Sequence, residues 1–458
     1  MLYCEEEFCL GRLFGTDGVR GVANTELTCD LAFQLGKAGA YVLSEQGDHI
    51  PRIVIGKDTR LSGDMLENAL VAGICSGGAM AVCVGVISTP AVAYLIREYG
   101  ADAGVVISAS HNPAEFNGIK FFDKNGYKLP DNIEERIEAI ILDHSEILPN
   151  PAGDSVGHVI SMTKAKDDYI AFLAKSVDTT FEGLKIALDC ANGAAFETAP
   201  EVFKRLGAEV LVINNSPDGV NINRNCGSTH MGMLKEFVVE NRCDIGLAFD
   251  GDADRVLAVD ANGIDVDGDK IMSIIGLDLR QRSQLANNTI VITVMSNLGM
   301  DIMAREQGLT LEKTKVGDRY VLEHMLKYGH ILGGEQSGHV LMLQFNTTGD
   351  GQLTGLQLVQ ILKRTGKSLS ELASIMQIYP QVLKNAKVKN ENKYTYMQDA
   401  EIAAKCKELE DAFHGEGRVL IRPSGTEPLV RVMIEGKDQS YITQKAAELA
   451  ALIEQKLG

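Results

Sequence analysis

The sequence predicts an α/β fold in which three layered α/β domains follow one another and a small α+β domain closes the chain. Short apolar runs with strand character alternate with helical periodicity through most of the length, which is the pattern of α/β layering. Three of these runs, residues 52–58, 185–193 and 289–297, each end in polar turn residues and lead into a helical pattern, as repeated units of one topology would. At 458 residues the chain also exceeds a single core, since domains hold about 150 residues each.

Taken in order, the first domain holds the run 52–58 and a long uncharged stretch, 69–96, whose length alone would span a bilayer. Gly77-Gly78 and Ser88-Thr89-Pro90 interrupt that stretch, so 81–86 between them reads as a buried parallel strand flanked by two helices. The apolar run 104–107 then leads into Ser108-Ala109-Ser110-His111-Asn112-Pro113, where His, Asn and Pro halt the strand and present the Ser110 hydroxyl. The Pro-, Gly- and Asp-containing segment 148–154 is the expected linker, placing a first domain at 1–155. The second, 156–262, contains the run 185–193 and Asp250-Gly251-Asp252-Ala253-Asp254-Arg255 between strand-like 245–249 and 256–259. Asn262-Gly263 is a hairpin signal, and Asp269 is expected to N-cap a helix starting at Lys270. A third domain, 263–380, carries Gly333-Gly334-Glu335-Gln336-Ser337-Gly338-His339. The Lys- and Asn-rich segment 384–393 reads as solvated and opens the last domain, 381–458, in which strand-like 418–421 and 430–434 flank Arg422-Pro423-Ser424-Gly425-Thr426-Glu427-Pro428.

A net charge of −18 argues against nucleic acid or an anionic membrane as partner. It also requires that any phosphorylated ligand be captured locally, by Arg, Lys, backbone amides or a metal. Nine scattered cysteines without a C-x-x-C pair read as reduced thiols, and the acidic segment 1–10, with no basic residue, does not read as a targeting peptide, so a cytoplasmic location is expected.

A serine hydroxyl is a weak nucleophile until a neighbour, a metal or phosphorylation changes its chemistry. Asp250, Asp252 and Asp254, separated by small residues, can converge on one hard cation, and an oxygen-only set suits Mg²⁺. The alternatives are a solvated turn or an EF-hand, the latter opposed by Arg255 at the sixth position and Ala261 at the twelfth. The Arg422 loop, with two hydroxyls and glycine-freed amides, fits a phosphate. The Glu335 loop offers carboxylate, amide, hydroxyl and imidazole to a polyhydroxylated ligand, although its glycines could serve a sharp turn alone. Gly153-Asp154-Ser155-Val156-Gly157 matches a nucleophile elbow but lies in a linker, and Gly366-Lys367-Ser368 lacks the first glycine of a P-loop, with Ile361 in its place.

Ser110-His111-Asn112-Pro113, the Asp250 motif, the Glu335 loop and the Arg422 loop, in this order over nearly the whole chain, resemble the α-D-phosphohexomutase superfamily. The motifs Phe14-Gly15-Thr16-Asp17-Gly18-Val19-Arg20-Gly21, Val316-Gly317-Asp318-Arg319-Tyr320 and 334–339 are most similar to its bacterial phosphoglucosamine mutase branch, ahead of the phosphomannomutase/phosphoglucomutase branch. The resemblance implies four domains around a central cleft, three of shared α/β topology and a C-terminal one on an antiparallel sheet. It implies an isomerase that interconverts glucosamine 6-phosphate and glucosamine 1-phosphate through phosphoserine at Ser110 and a glucosamine 1,6-bisphosphate, feeding UDP-N-acetylglucosamine and cell-wall synthesis. One Mg²⁺ per site would rest on Asp250, Asp252, Asp254 and an oxygen of Ser110. Arg20, His111, Lys120, Arg255 and His339 are the implied catalytic companions, the proton being moved by Lys120 or His339. Glu335 and Ser337 would hold sugar hydroxyls, and Arg422, Ser424, Gly425, Thr426 and Arg431 the phosphate that is not reacting. The expected partner is a small phosphorylated amino sugar, with room for a homodimer; the first alternative is a phosphomannomutase/phosphoglucomutase of the same superfamily acting on glucose or mannose phosphates, and the second a non-catalytic sugar-phosphate sensor that kept the pocket. The segment 1–10 extends beyond the family's usual short lead.

Overall fold

A computed structural model describes residues 12–15, 17–43, 49–424 and 427–458. The chain folds into two compact units, Met1–Val294 with Thr310–Ser374, and Met295–Leu309 with Ile375–Gly458.

The larger unit holds three sheets. In the first, strands lie in the order Val19–Val22, Phe116–Asp123, Ala103–Ile107, Arg52–Lys57, Met80–Val86, Val159–Ser161. In the second the order is Asp265–Val266, Val256–Asp260, Ile245–Phe249, Lys185–Asp189, Glu209–Ile213, and in the third Val340–Met342, Leu332–Gly334, Thr289–Thr293, Thr310–Thr314. One plan underlies all three. The strands Arg52–Lys57, Lys185–Asp189 and Thr289–Thr293, the runs singled out in the sequence, each pair in parallel with a strand on either side. In each sheet one of those neighbours then pairs antiparallel with the strand that follows it in the chain. The central positions explain the apolar runs: Ala103–Ile107 is buried along its whole length, as are Ile245–Phe249 and Thr289–Thr293.

The uncharged stretch 69–96 resolves into part of the helix Ser62–Ser76, the strand Met80–Val86 and part of the helix Thr89–Glu98, which carries Pro90 in its first turn. Among the described residues no helix is long and apolar enough to cross a membrane. The Asn262-Gly263 turn joins two antiparallel strands, with Gly263 in the left-handed region at φ 80°. One local expectation is corrected. The helix after it is Gly268–Gln281, and its cap is Asp267, whose Oδ1 accepts from Lys270 N at 3.0 Å; Asp269 lies inside the first turn and is buried. Both residues satisfy the composition of an acidic helix start, and only backbone geometry distinguishes them.

The smaller unit is built on an antiparallel sheet ordered Gln381–Lys387, Leu429–Gly436, Gly417–Pro423, covered by the helices Ala400–Ala412 and Gln439–Leu457. Ile434, Val432, Ile442, Leu449 and Ile453 are among its buried core. The segment that reads as solvated begins in the strand Gln381–Lys387, which sits at a sheet edge with most of its side chains exposed. An edge strand tolerates Lys and Asn for that reason.

Candidate active site

Ser110 stands three residues past the strand Ala103–Ile107, in a left-handed conformation at φ 51°. That geometry is uncommon for a residue with a Cβ and persists only where its surroundings enforce it. Here they do. Ser110 N donates to Ser108 Oγ at 3.0 Å, and Ser108 Oγ donates to Asp58 Oδ2 at 2.6 Å. Arg60, paired with Asp58 at 2.9 Å and buried with it, donates to the carbonyls of Ser110 (3.0 Å), Asn112 (2.9 Å) and Pro113. Asn223 from the second domain donates to the Ser110 carbonyl at 2.9 Å.

The hydroxyl so fixed donates to Asp250 Oδ2 at 2.7 Å. Asp250, Asp252 and Asp254 lie in the loop between Ile245–Phe249 and Val256–Asp260, all buried, with one carboxylate oxygen from each within 4.8 Å of the others. The loop packs against the serine so closely that a Cβ on Gly251 would strike the Ser110 carbonyl and lie 2.8 Å from Asn223 Nδ2. Asp252 Oδ2 accepts from Lys120 Nζ at 2.9 Å and from Thr89 Oγ1 at 2.7 Å. Burial pushes the Asp250 carboxyl well up, and repulsion from Asp254 and Asp252 adds to it. Burial also opposes the charge on Asp252, but the Lys120 ammonium and the Thr89 bond outweigh it and hold that carboxyl low. Among the described residues, the buried Oδ1 atoms of Asp252 and Asp254 have no hydrogen-bond partner. Three crowded carboxylates with such oxygens are a donor set that fits a hard cation and is unfavourable without one.

Basic groups surround the cluster. Lys120 on Phe116–Asp123 bridges Asp252 and Asp17 at 2.9 Å each. Burial disfavours its charge, but Asp17 and Asp252 prevail and keep it an ammonium. Arg20, on Val19–Val22, pairs with Asp17. Arg255 donates its backbone N–H to Asp250 Oδ1 at 3.2 Å, and its Nη1 lies 3.2 Å from His111 Nδ1, itself 3.3 Å from Ser110 Oγ. Burial, then Arg255 and Arg20, lower the His111 pKa, so the ring is neutral.

The third domain contributes the hairpin between Leu332–Gly334 and Val340–Met342. Glu335 Oε1 accepts from Gly317 N at 3.1 Å. Gly338, at φ 93°, lets the hairpin lie against Val256, whose N–H donates to the Gly338 carbonyl at 3.1 Å. His339 is buried, with Nδ1 3.5 Å from Asp254 Oδ2 and Nε2 3.5 Å from Asp318 Oδ2. As a neutral ring it accepts from Gly349 N at 3.3 Å, and as an imidazolium it faces the two carboxylates. Burial lowers its pKa, and Asp254 reverses that to a net rise. Ser337 is exposed on the same hairpin.

The larger unit thus gathers Ser110, Arg20, His111, Lys120, Asp250, Asp252, Asp254, Arg255, Glu335 and His339. It does not include the Arg422 loop, which belongs to the smaller unit. There Arg422 and Arg431 stand opposite each other on paired strands, Ser424 is buried with its Oγ accepting from Glu427 N at 3.2 Å, and Gly425 and Thr426 lie outside the described residues. Burial and the neighbouring Arg431 charge both lower the Arg422 pKa, and Arg431 Nη2 lies 3.6 Å from Glu427 Oε2. Asp58, Arg60, Thr89, Asn223 and Lys128 have no site role in the sequence reading, and Asp318 enters it only within the 316–320 motif. Asp58-Thr59-Arg60, polar residues directly after a strand, also carries a local signal.

Four family models match the chain in succession: phosphoglucomutase/phosphomannomutase α/β/α domain I over 11–147, domain II over 167–263, domain III over 267–379, and the C-terminal domain over 383–452. The chain is 63% identical over 449 residues, 98% of its length and 100% of the relative, to a phosphoglucosamine mutase of Acetivibrio thermocellus. It is 64% identical over 448 residues, with the same coverage, to one of Ruminiclostridium cellulolyticum. Among solved structures, a phosphoglucomutase/phosphomannomutase family protein of Burkholderia thailandensis superposes with a TM-score of 0.81 at 24% identity, covering 96% of this chain and 97% of that one. An N-acetylphosphoglucosamine mutase of Aspergillus fumigatus, solved with GlcNAc-6P and magnesium, superposes with a TM-score of 0.66 at 18% identity, covering 98% and 96%. These two likenesses concern the fold.

Proposed function

The chain belongs to the phosphoglucomutase/phosphomannomutase family, and from that premise we propose that it interconverts glucosamine 6-phosphate and glucosamine 1-phosphate. The observation that carries the reading is the Ser110 hydroxyl, forced into a left-handed turn and set 2.7 Å from Asp250, in a chain 63–64% identical to phosphoglucosamine mutases along their whole length.

In this scheme phosphorylated Ser110 gives its phosphoryl group to the sugar O1. The P–Oγ bond breaks as the O1–P bond forms, and the O1 proton leaves. The bisphosphate turns over in the site, and Ser110 takes the phosphoryl group from O6, releasing glucosamine 1-phosphate. Asp250, Asp252 and Asp254, with an oxygen of phosphorylated Ser110, are the residues that would hold Mg²⁺. When bound, that ion supplies positive charge beside the transferring group. Arg20 and Arg255 add fixed cationic charge, and neutral His111 orients the hydroxyl. Lys120 is held as an ammonium and stabilises charge, whereas His339, with its pKa raised from the ordinary range, is the group assigned to move the proton. Glu335 and Ser337 are assigned to sugar hydroxyls. On the smaller unit, Arg422, Ser424 and Arg431, with Gly425 and Thr426, are assigned to phosphate binding. A cytoplasmic location and a homodimer complete the reading; the seven described cysteines, all free of disulfides, suit the former.

The test is peptide mass analysis of Ser110 paired with turnover of glucosamine 6-phosphate. Wild-type protein is expected to carry phosphate on Ser110 and to prefer glucosamine 6-phosphate over glucose 6-phosphate by at least ~10-fold in kcat/KM, about what a single polar contact supplies. Ser110→Ala should fold, carry no phosphate there and show no turnover. Activity retained by the alanine variant would refute the assignment. Equal kcat/KM on glucose or mannose phosphates would move the substrate to the other branch.

A further inference from the structure

The charged groups of the site continue past the cluster described above and close into a ring. Lys120 Nζ joins Asp252 Oδ2 to Asp17 Oδ2, at 2.9 Å each. Lys128 Nζ joins Asp17 Oδ1 to Asp318 Oδ2, at 2.6 Å each. His339 lies between Asp318 Oδ2 and Asp254 Oδ2, at 3.5 Å from each. Carboxylates alternate with nitrogen groups at every step, and the two ends, Asp252 and Asp254, are two residues apart in one loop.

The ring draws on all three α/β domains of the larger unit. Asp17, Lys120 and Lys128 come from the first, the two aspartates from the second, and Asp318 and His339 from the third. Within it, Lys128–Asp318 is the step that joins the first domain to the third. Asp318 occupies the first position of the helix Asp318–Tyr328, where a carboxylate is favoured, and the next residue, Arg319, pairs with Asp131 of the first domain. Among the described residues Lys128 pairs with Asp17 and Asp318, so it stands opposite the aspartate loop with two residues between them on either side.

We propose that Asp17, Lys128 and Asp318 are positioning residues for the phosphoryl transfer proposed above, Lys128 setting where the Lys120 ammonium and the His339 imidazole stand relative to the reacting group. The inference rests on that functional reading. Its physical basis is the sharing of one ammonium by two carboxylates. Without Lys128, Asp17 and Asp318 repel each other; Asp17 falls back on Lys120 and Arg20, and Asp318 on His339. Both nitrogen groups beside the aspartate loop, the Lys120 ammonium and the His339 ring, are then drawn away from it. A displacement of about 1 Å at a reacting centre is enough to lose ~100-fold in rate. Burial disfavours the Lys128 charge, yet Asp17 and Asp318 raise its pKa in net, while Lys128 brings Asp318 down to about 2, so both remain charged at neutral pH. A purely structural ion pair would behave differently: its loss would lower the melting temperature and leave the chemistry of the folded enzyme unchanged.

The experiment is single-turnover transfer from Ser110-phosphorylated enzyme to glucosamine 6-phosphate, below the melting temperature of every variant. Lys128→Met is expected to slow transfer at saturation by ~100-fold with KM within ~3-fold of wild type, because Lys128 acts through its neighbours. Lys128→Arg keeps the shared charge and should recover to within ~10-fold of wild type. Asp318→Asn leaves Lys128 paired to Asp17, so it serves if Lys128→Met does not fold; it should slow transfer by at least ~10-fold, and the double variant should be no slower than Lys128→Met alone. Folded variants with transfer rates within ~3-fold of wild type, or a defect confined to KM, would overturn the proposal. Wild-type enzyme that carries phosphoserine but turns over no glucosamine 6-phosphate would instead overturn the functional reading.

Discussion

At the scale of single residues, the site is organised around charges that water does not solvate. Asp252 is the clearest case. It is fully buried, its Oδ2 accepts from Lys120 and Thr89, and its Oδ1 has no hydrogen-bond partner among the described residues. A buried polar atom without a hydrogen bond is costly, so its retention beside two further carboxylates points to a cation as the missing partner. Asp252→Asn is therefore expected to weaken Mg²⁺ or Mn²⁺ binding by at least ~10-fold, since one charge leaves a hard-cation site. Lys120 keeps Asp17, and less repulsion among the aspartates offsets part of the lost pair, so the fold should lose no more than about 1–3 kcal/mol. Titration calorimetry with the metal alone gives the affinity, and thermal melting gives the stability. An unchanged affinity would remove the aspartates from metal binding. Turnover should likewise vanish with EDTA and return with Mg²⁺.

At the scale of elements, each functional loop follows a strand of a repeated α/β plan, and what brings the loops together is close approach of backbone to backbone. Gly251 carries the Asp250 loop onto the Ser110 carbonyl. Gly251→Ala would push a methyl group into that carbonyl and into Asn223, so a destabilisation of about 1–3 kcal/mol is expected, as for overpacking. A loss of turnover beyond ~10-fold should accompany it, because the displaced group is the nucleophile's own backbone. Melting temperature and kcat measured together test this, and an alanine variant with wild-type values of both would show that the loops tolerate separation. The same contrast explains what the sequence disclosed. Ser110, Asp250, Asp252 and Asp254 were legible because each sits in a short motif whose residue types suit one chemistry, whereas Glu335, in a loop whose glycines also suit a plain turn, was legible only beside the other motifs. Lys128, Arg60 and Asn223 were not legible, and Asp318 was legible only as part of the 316–320 motif, because their meaning lies in partners 50 to 190 positions away, such as Lys128 with Asp318 and Arg60 with Ser110. The repeated topology was foreshadowed by three apolar runs ending alike. The helix cap at Asp267 was missed by two residues, since Asp265, Asp267 and Asp269 are equivalent by composition.

At the scale of the whole molecule, the three α/β domains of the larger unit are tied together away from the aspartates by one buried polar network. Asp350 caps the helix Gly351–Thr365 by accepting from Leu353 N at 3.0 Å, and it accepts from Tyr169 of the second domain at 2.9 and 3.0 Å. Asn346 donates to Asp350 at 3.1 Å and to the Pro90 carbonyl at 3.1 Å, and accepts from Arg97 at 2.7 Å, both of the first domain. Thr347 donates to the Gly126 carbonyl at 2.6 Å. Among the described residues no cation pairs with Asp350, and burial pushes its carboxyl up to about 6 despite the bonds from Leu353, Tyr169 and Asn346. The folded state therefore holds a proton that the unfolded chain, titrating near the ordinary value of 3.8, releases earlier. Stability from this group is full below the unfolded pKa and is lost as pH rises through about 6, by roughly 3 kcal/mol in all. Asp350→Asn cannot titrate and keeps an acceptor for Tyr169 and the helix cap. The stability of wild type relative to this variant should then fall between about pH 4 and 7 and level off above, as read from paired denaturant unfolding at each pH. A difference that is flat or rises with pH would mean that the carboxylate is compensated in the folded state, and that the domains meet through a charged network.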